Sequence, residues 1–213
     1  WLPGLSKGNT LPFSLPGALV SLWLGNRSTV APHFDYPANI ACCVAGRRQF
    51  TLFPPEQVAN LYVGPWDLTP AGQPISLVNI GDPDLEQFPR FEMAMAQAQS
   101  AELLPGDAIY IPSLWWHQVE SLAGINGLIN YWWSRQPATF GSPMDAFNHA
   151  LLSIKQLPPS ERAAWQTLFD YYVFSDSASD RSYWPSDRQD RTREITDPLA
   201  RQLRAELTNN LRR

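Results

Sequence analysis

The chain has 213 residues, enough for one domain or one domain with an appendage, and long enough to bury a sizeable core without staples. Sixteen basic residues against 20 acidic ones give a net charge of −4, which argues against the basic stripe of a nucleic-acid-binding domain. Twenty prolines cut periodic segments short and argue against a long helical bundle, while nine tryptophans call for a broad apolar interior or a shaped pocket.

Charge is unevenly spread. Residues 1–175 carry 8 basic and 13 acidic groups, and the last 38 residues carry 8 and 7. The body is mildly acidic and the tail is dense in both signs. No apolar run approaches the roughly 18–20 residues of a membrane span, and no basic-then-apolar leader is present, so no membrane partner is expected. The adjacent Cys42 and Cys43 lie in IACCV, a strand pattern that points them to opposite faces. Two free thiols of this kind fit a reducing compartment, and a cytoplasmic location is the expectation.

In chain order, Leu19 to Trp133 reads as short apolar runs broken by turns: ALVSLWLG, NIACCVAG, QFTLFPP, ISLVNIG, DAIYIPS and NGLINYWW. Gly25-Asn26, Gly46-Arg47, Gly106-Asp107 and Asn126-Gly127 stand at or near their ends, which is turn chemistry. Short strands so punctuated indicate an antiparallel sandwich or barrel. One helix-like segment interrupts them, roughly Phe91 to Ser100.

After Pro143 the period changes. MDAFNHALLSIKQL and SERAAWQTLFDYYVF carry apolar residues at helical spacing, separated by Pro158-Pro159, with Ser160 placed to cap the second helix. Residues 176–191 read as a polar linker, and Leu199, Leu203, Leu207 and Leu211 mark a terminal amphipathic helix. A lone helix of that length is marginal in water and must pack on something.

Histidine is rare: His33, His117 and His149. His33-Phe34-Asp35 puts an imidazole and a carboxylate on one face of a strand, and His117, at the start of another strand, can supply a third ligand from across a barrel. Two imidazoles and a carboxylate on one face of a metal form the facial triad of non-heme Fe(II) oxygenases. The competing reading is two satisfied core histidines and a capping aspartate. The tight turn Leu104-Pro105-Gly106-Asp107, the strand AIYIP and the indoles Trp115 and Trp116 before His117 favour a buried ligand. His149 reads as structural.

The segments APHFDYPANIACCVAGRRQFTLFPPEQ, GDPDLEQFPRF, LPGDAIYIPSLWWHQVESL and INYWW occur in an order that resembles the JmjC-related cupin-like oxygenases. The nearest group is that of the asparaginyl hydroxylase that represses hypoxia-inducible factor, with its bacterial cupin-like relatives. The resemblance covers about half the chain. It implies a double-stranded β-helix (jelly roll, cupin) over 1–140, making the chain mainly β, and it adds a precedent for the C-terminal helical hairpin, 141–175, which precedes the charged linker and terminal helix, 176–213, read from the residues above. Its mouth would hold Fe(II) and the co-substrate 2-oxoglutarate.

Carried over by position, His33, Asp35 and His117 become the iron ligands and catalytic centre. Asn39 and Asn130 fall on two family asparagines beside the co-substrate, and Trp132 walls the pocket. The family lysine that holds the distal carboxylate of 2-oxoglutarate is replaced by Arg48, which can bind a carboxylate bidentately or belong to a solvated turn pair with Arg47. The family threonine three residues before the first histidine is replaced by Val30, and Thr29 is the candidate substitute. Relatives also have an N-terminal region that contributes a pocket tyrosine and much of the substrate groove, for which the chain ahead of His33 is too short.

The resemblance further implies a homodimer through the 144–175 helices, with Trp165, Phe169, Tyr171, Tyr172 and Phe174 in the interface; packing within the chain is the other reading. The expected activity is hydroxylation of a C–H bond by a 2-oxoglutarate-dependent dioxygenase. Its substrate would be a protein or peptide side chain or a small molecule. Two other functions fit the residues: a metal-binding cupin that is not an oxygenase, and an inactive dimeric interaction module.

Overall fold

A computed structural model describes residues 4, 10–66, 73–134, 136–175 and 195–212. The chain divides into two compact units, residues 1–134 and 135–213. The sequence places the first boundary at 140; contacts place it at 134, just after the last strand ends.

The first unit contains eight strands: β1 (Leu19–Gly25), β2 (Ser28–Phe34), β3 (Ala38–Ala45), β4 (Arg48–Phe53), β5 (Gln99–Leu103), β6 (Ala108–Ile111), β7 (Trp116–Ser121) and β8 (Asn126–Trp133). They form two antiparallel four-stranded sheets, ordered β1-β8-β3-β6 and β2-β7-β4-β5. Consecutive strands alternate between sheets through the first four, as a double-stranded β-helix requires. Ala41, Cys43, Phe50, Leu52, Leu103, Ile111, Val119 and Leu128 fill the space between the sheets. Cys43 is buried there and Cys42 is half-buried; both are free thiols.

The crossover from β4 to β5 builds a second core from Phe53, Leu61, Val78, Phe91, Ala94 and Trp116. Here the structure departs from the sequence reading twice. ISLVNIG is a loop with a single bridge, Val63 to Ser76, because its backbone groups are satisfied outside any regular ladder: Ser76 N donates to Pro32 O at the bulge of β2, Leu77 N to Tyr62 O, and Ile75 O accepts from Gly64 N. The helix expected over 91–100 is the short α1 (Phe91–Met95), and Gln99–Leu103 is strand β5, pairing with β4 from Leu52↔Gln99 to Arg48↔Leu103. A ladder with an open strand edge outweighs the helix propensity of FEMAMAQAQ.

In the second unit α2 (Pro143–Ser153) is capped by the Ser142 hydroxyl, which accepts from Met144 N. Helix α3 (Pro159–Phe169) runs into a π-helical turn, Asp170–Phe174. Pro158 occupies the N-cap and Ser160 lies inside the helix, so the serine cap expected for α3 is absent: Pro159 already supplies the first-turn geometry. No residue of α2, α3 or the π turn is buried. Helix α4 (Asp197–Leu211) rests on the turn Ala138–Phe140, where Thr139 Oγ1 donates to Asp197 Oδ1 at 3.1 Å and Arg204 donates to Thr139 O at 3.2 Å. It buries Ala200 but leaves Leu207 and Leu211 exposed. The linker expected at 176–191 lies outside the described residues. Among the described residues no helix is long and apolar enough to cross a membrane.

Candidate metal and keto-acid site

One cavity of about 230 Å³ lies within the first unit, lined from both sheets. Its walls follow strand periodicity. His117, Val119 and Ser121 of β7 face in, as do Leu128, Asn130 and Trp132 of β8, and Arg48 and Phe50 of β4.

Strand β2 breaks that period. A bulge between Val30 and His33 shifts its register against β7. Ser28 and Val30 line the cavity, and strict alternation would next present Pro32. The bulge inserts one residue, so His33 and then Asp35 face the cavity instead. Pro32 is tolerated because β2 is an edge strand. His33 then lies directly opposite His117, ring centroids 4.4 Å apart.

The ligand atoms of His33, Asp35 and His117 all lie within 4.8 Å of one another. His33 Nδ1 contacts Ala31 O at 2.9 Å and His117 Nδ1 contacts Trp115 O at 3.0 Å. A carbonyl oxygen can only accept, so each Nδ1 carries the proton and each Nε2 keeps its lone pair for an ion. Burial lowers the pKa of His117 to about 4; neighbouring His33 pushes in the same direction, and the Trp115 carbonyl and Asp35 oppose it. The ring is therefore neutral, its ligating form, at physiological pH. Asp35 Oδ2 lies 3.8 Å from His117 Nε2 and accepts from Trp132 Nε1 at 3.2 Å.

Arg48 is buried, and its Nε has no hydrogen-bond partner among the described residues. Burial pulls its pKa below the ordinary value, with the nearby Cys43 opposing. Arg47 instead pairs with Glu102 at 3.0 Å on the surface. The two arginines thus face different surroundings. An arginine enclosed in this way favours an anionic guest, since an unpaired buried charge is costly.

Ser121 stands opposite both Ser28 and Arg48 in the strand registers, so Ser28, Ser121 and Arg48 form one row across the sheet. The next row is Val30, Val119 and Phe50, and the one after it contains His33 and His117. A hydrophobic band therefore separates the imidazoles from the guanidinium. Thr29 is not part of the lining: it sits between Ser28 and Val30 on the alternate face of β2, and the hydroxyls in the cavity come from the two serines. Sequence reasoning missed both serines. Counting in twos from His117 reaches Ser121, and that was the available signal. Across the cavity, Asn130 Nδ2 donates to Asn39 Oδ1 at 2.9 Å, and both amides are buried.

The residues present fit a divalent metal and a small dicarboxylate. The donor set has two nitrogens and one oxygen, and the arginine atom without a partner waits at the other side of the apolar band.

The profile of the cupin-like domain family matches residues 1–139. Similar proteins include lysine-specific demethylase JMJ31 of Arabidopsis thaliana, 31% identical over 130 residues, covering 60% of this chain and 23% of that protein. Human HSPB1-associated protein 1 is 37% identical over 116 residues, covering 53% and 23%. Lysine-specific demethylase 8 of Danio rerio is 34% identical over 116 residues, covering 54% and 27%. The chain spans about a quarter of the length of these relatives. Since the profile match covers well over half of the chain and takes in both sheets, the chain belongs to the cupin-like domain family, with JmjC-type proteins as its relatives.

Proposed function

We propose that this chain carries the metal- and keto-acid-binding part of an Fe(II)- and 2-oxoglutarate-dependent oxygenase that hydroxylates a C–H bond, with a protein or peptide side chain as acceptor. The observation that carries this reading is one cavity holding both the His33–Asp35–His117 donor set and the buried, unpaired Arg48. A metal site alone would not need the arginine.

Bound iron and 2-oxoglutarate would supply the oxidising chemistry, consuming dioxygen and releasing succinate and carbon dioxide. The protein's own residues bind and orient. His33 and His117 offer Nε2, and Asp35 offers a carboxylate oxygen. Arg48, with the Ser28 and Ser121 hydroxyls, holds the distal carboxylate by charge-assisted hydrogen bonds. Val30, Val119 and Phe50 pack against the methylenes and exclude water. Asn39 donates its amide hydrogens toward the keto-acid end, while its oxygen is held by Asn130.

Anaerobic addition of Fe(II) and then 2-oxoglutarate to the metal-free protein should give a visible absorption band only when both are present. Arg48→Gln should require about 10-fold or more additional 2-oxoglutarate for the same band, because it loses a charge-assisted contact. Iron binding without the band would move the reading to a metal cupin of other chemistry, and no iron binding to an interaction module.

The second unit supports a homodimer in the same proposal. Leu152, Val173 and Phe174 are 73%, 62% and 75% exposed, and α2 and α3 bury nothing. An apolar helical surface of this kind calls for a cover. Sedimentation equilibrium should give twice the chain mass, falling to one chain mass in Leu152→Glu/Phe174→Glu; a monomeric wild type would overturn the dimer.

A further inference from the structure

Asp35 follows the end of β2 and carries no backbone ladder of its own, so something else must fix the direction of its carboxylate. The group that does so comes from the other sheet. Trp132 lies on β8, on the same face as Leu128 and Asn130, and its indole nitrogen is 3.2 Å from Asp35 Oδ2. An indole nitrogen can only donate, so Oδ2 is the acceptor. The indole is itself held: Trp23 of β1 meets it edge to face at 6.2 Å between centroids, and Trp132 stands in register with Asn39 on β3.

The oxygen that the indole holds is also the one turned toward the imidazoles: Asp35 Oδ2 lies 3.8 Å from His117 Nε2. A hydrogen bond from outside the donor set fixes a carboxylate's direction and tunes its strength as a ligand.

We propose that Trp132 is a positioning residue for the metal carboxylate, its indole N–H fixing Asp35 Oδ2, the oxygen 3.8 Å from His117 Nε2, in its direction toward the donor cluster. The role rests on the metal reading given above and adds to it a residue that touches neither ion nor keto acid through its nitrogen. It goes beyond lining the cavity, since a phenyl ring would line the same wall. Outer partners of this kind typically change metal affinity by about 10–100-fold when removed.

Cobalt(II) is a suitable probe, because its visible spectrum reports ligand geometry without turnover. Titrations of the metal-free full chain with Co(II) should show Trp132→Phe binding about 10–100-fold more weakly than wild type, with an altered visible spectrum. Trp23→Phe, which disturbs the same aromatic wall and leaves the hydrogen bond, should stay within a few-fold of wild type. Trp132→Gln restores a donor on a different frame and should recover part of the affinity lost in Trp132→Phe. Equal affinity and spectrum in wild type and Trp132→Phe would overturn the positioning role while leaving the metal site intact. Equal losses in Trp132→Phe, Trp132→Gln and Trp23→Phe would overturn it too, as the signature of packing alone. A wild-type chain that binds no Co(II) would overturn the metal reading, and the positioning role with it.

Discussion

Alanine in place of His33 or of Asp35 is expected to abolish 2-oxoglutarate consumption and to weaken Fe(II) binding by at least about 100-fold, more than the loss of an outer-shell partner. Each substitution removes one of three donors that lie within 4.8 Å of one another, and two remaining donors hold a labile divalent ion poorly. The fold should survive. His33 sits on an edge strand, and its ring makes one hydrogen bond, to Ala31 O, worth about 1 kcal/mol net. Asp35 is half-buried, and its removal leaves the Trp132 N–H to find water. Circular dichroism of the metal-free variants should therefore match wild type, with Fe(II) affinity and succinate formation measured on the same samples. Wild-type affinity or full turnover in either variant would sink the triad.

The largest effect on stability is expected far from the triad, at Asn126. This residue is fully buried where three turns meet. Its Oδ1 accepts from Arg47 N and Ala123 N, both at 3.3 Å, and its Nδ2 donates to Asn26 O at 3.3 Å and Ala123 O at 2.7 Å. One amide therefore ties together the turns β1–β2, β3–β4 and β7–β8. Alanine there strands several backbone groups, each costing about 1–3 kcal/mol when buried without a partner. A total of about 3–5 kcal/mol corresponds to a fall in Tm on the order of 10 °C for a chain of this size.

Gly46 belongs to the same knot. Its φ is +75°, and a Cβ on it would run into Asn126 Oδ1 and the Ile125 carbonyl oxygen. Gly46→Ala should therefore destabilise as well. The double variant should lose less than the sum, because Asn126→Ala removes one of the two obstructions. Thermal unfolding of the three variants checks this; a shift under about 3 °C for Asn126→Ala would show that water replaces the amide without loss.

Much of the site could be read from residue types at fixed spacing. His33-x-Asp35 on one predicted strand face and a distant His117 suggested the donor set, the resemblance made them the iron ligands, and Asn39, Arg48, Asn130 and Trp132 followed from it. All seven of these lie in the lining of one cavity. The eighth, Thr29, does not. The family threonine position three before His33 is Val30, and Thr29 was its neighbouring substitute; Val30 takes the cavity face and Thr29 the other. The serines that stand in its place come from β2 and β7, and the row they make with Arg48 depends on cross-strand register. Register is a property of pairs of strands, so no single strand displays it.

The same distinction runs through the fold. Local chemistry determined the strand-and-turn rhythm of residues 19–133, the switch to helical spacing after Pro143 and the choice of metal-ligating side chains, since each depends on neighbours a few residues apart. Tertiary structure decided the rest: that Gln99–Leu103 joins a ladder instead of extending a helix, that ISLVNIG is a loop, and that Asn126 locks three turns. It also decided that a bulge turns His33 toward His117, and that the carboxylate of Asp35 is held by an indole 97 positions further along the chain. Those outcomes rest on backbone and side-chain partners distant in sequence, whose free energy appears only once the two sheets have closed on each other.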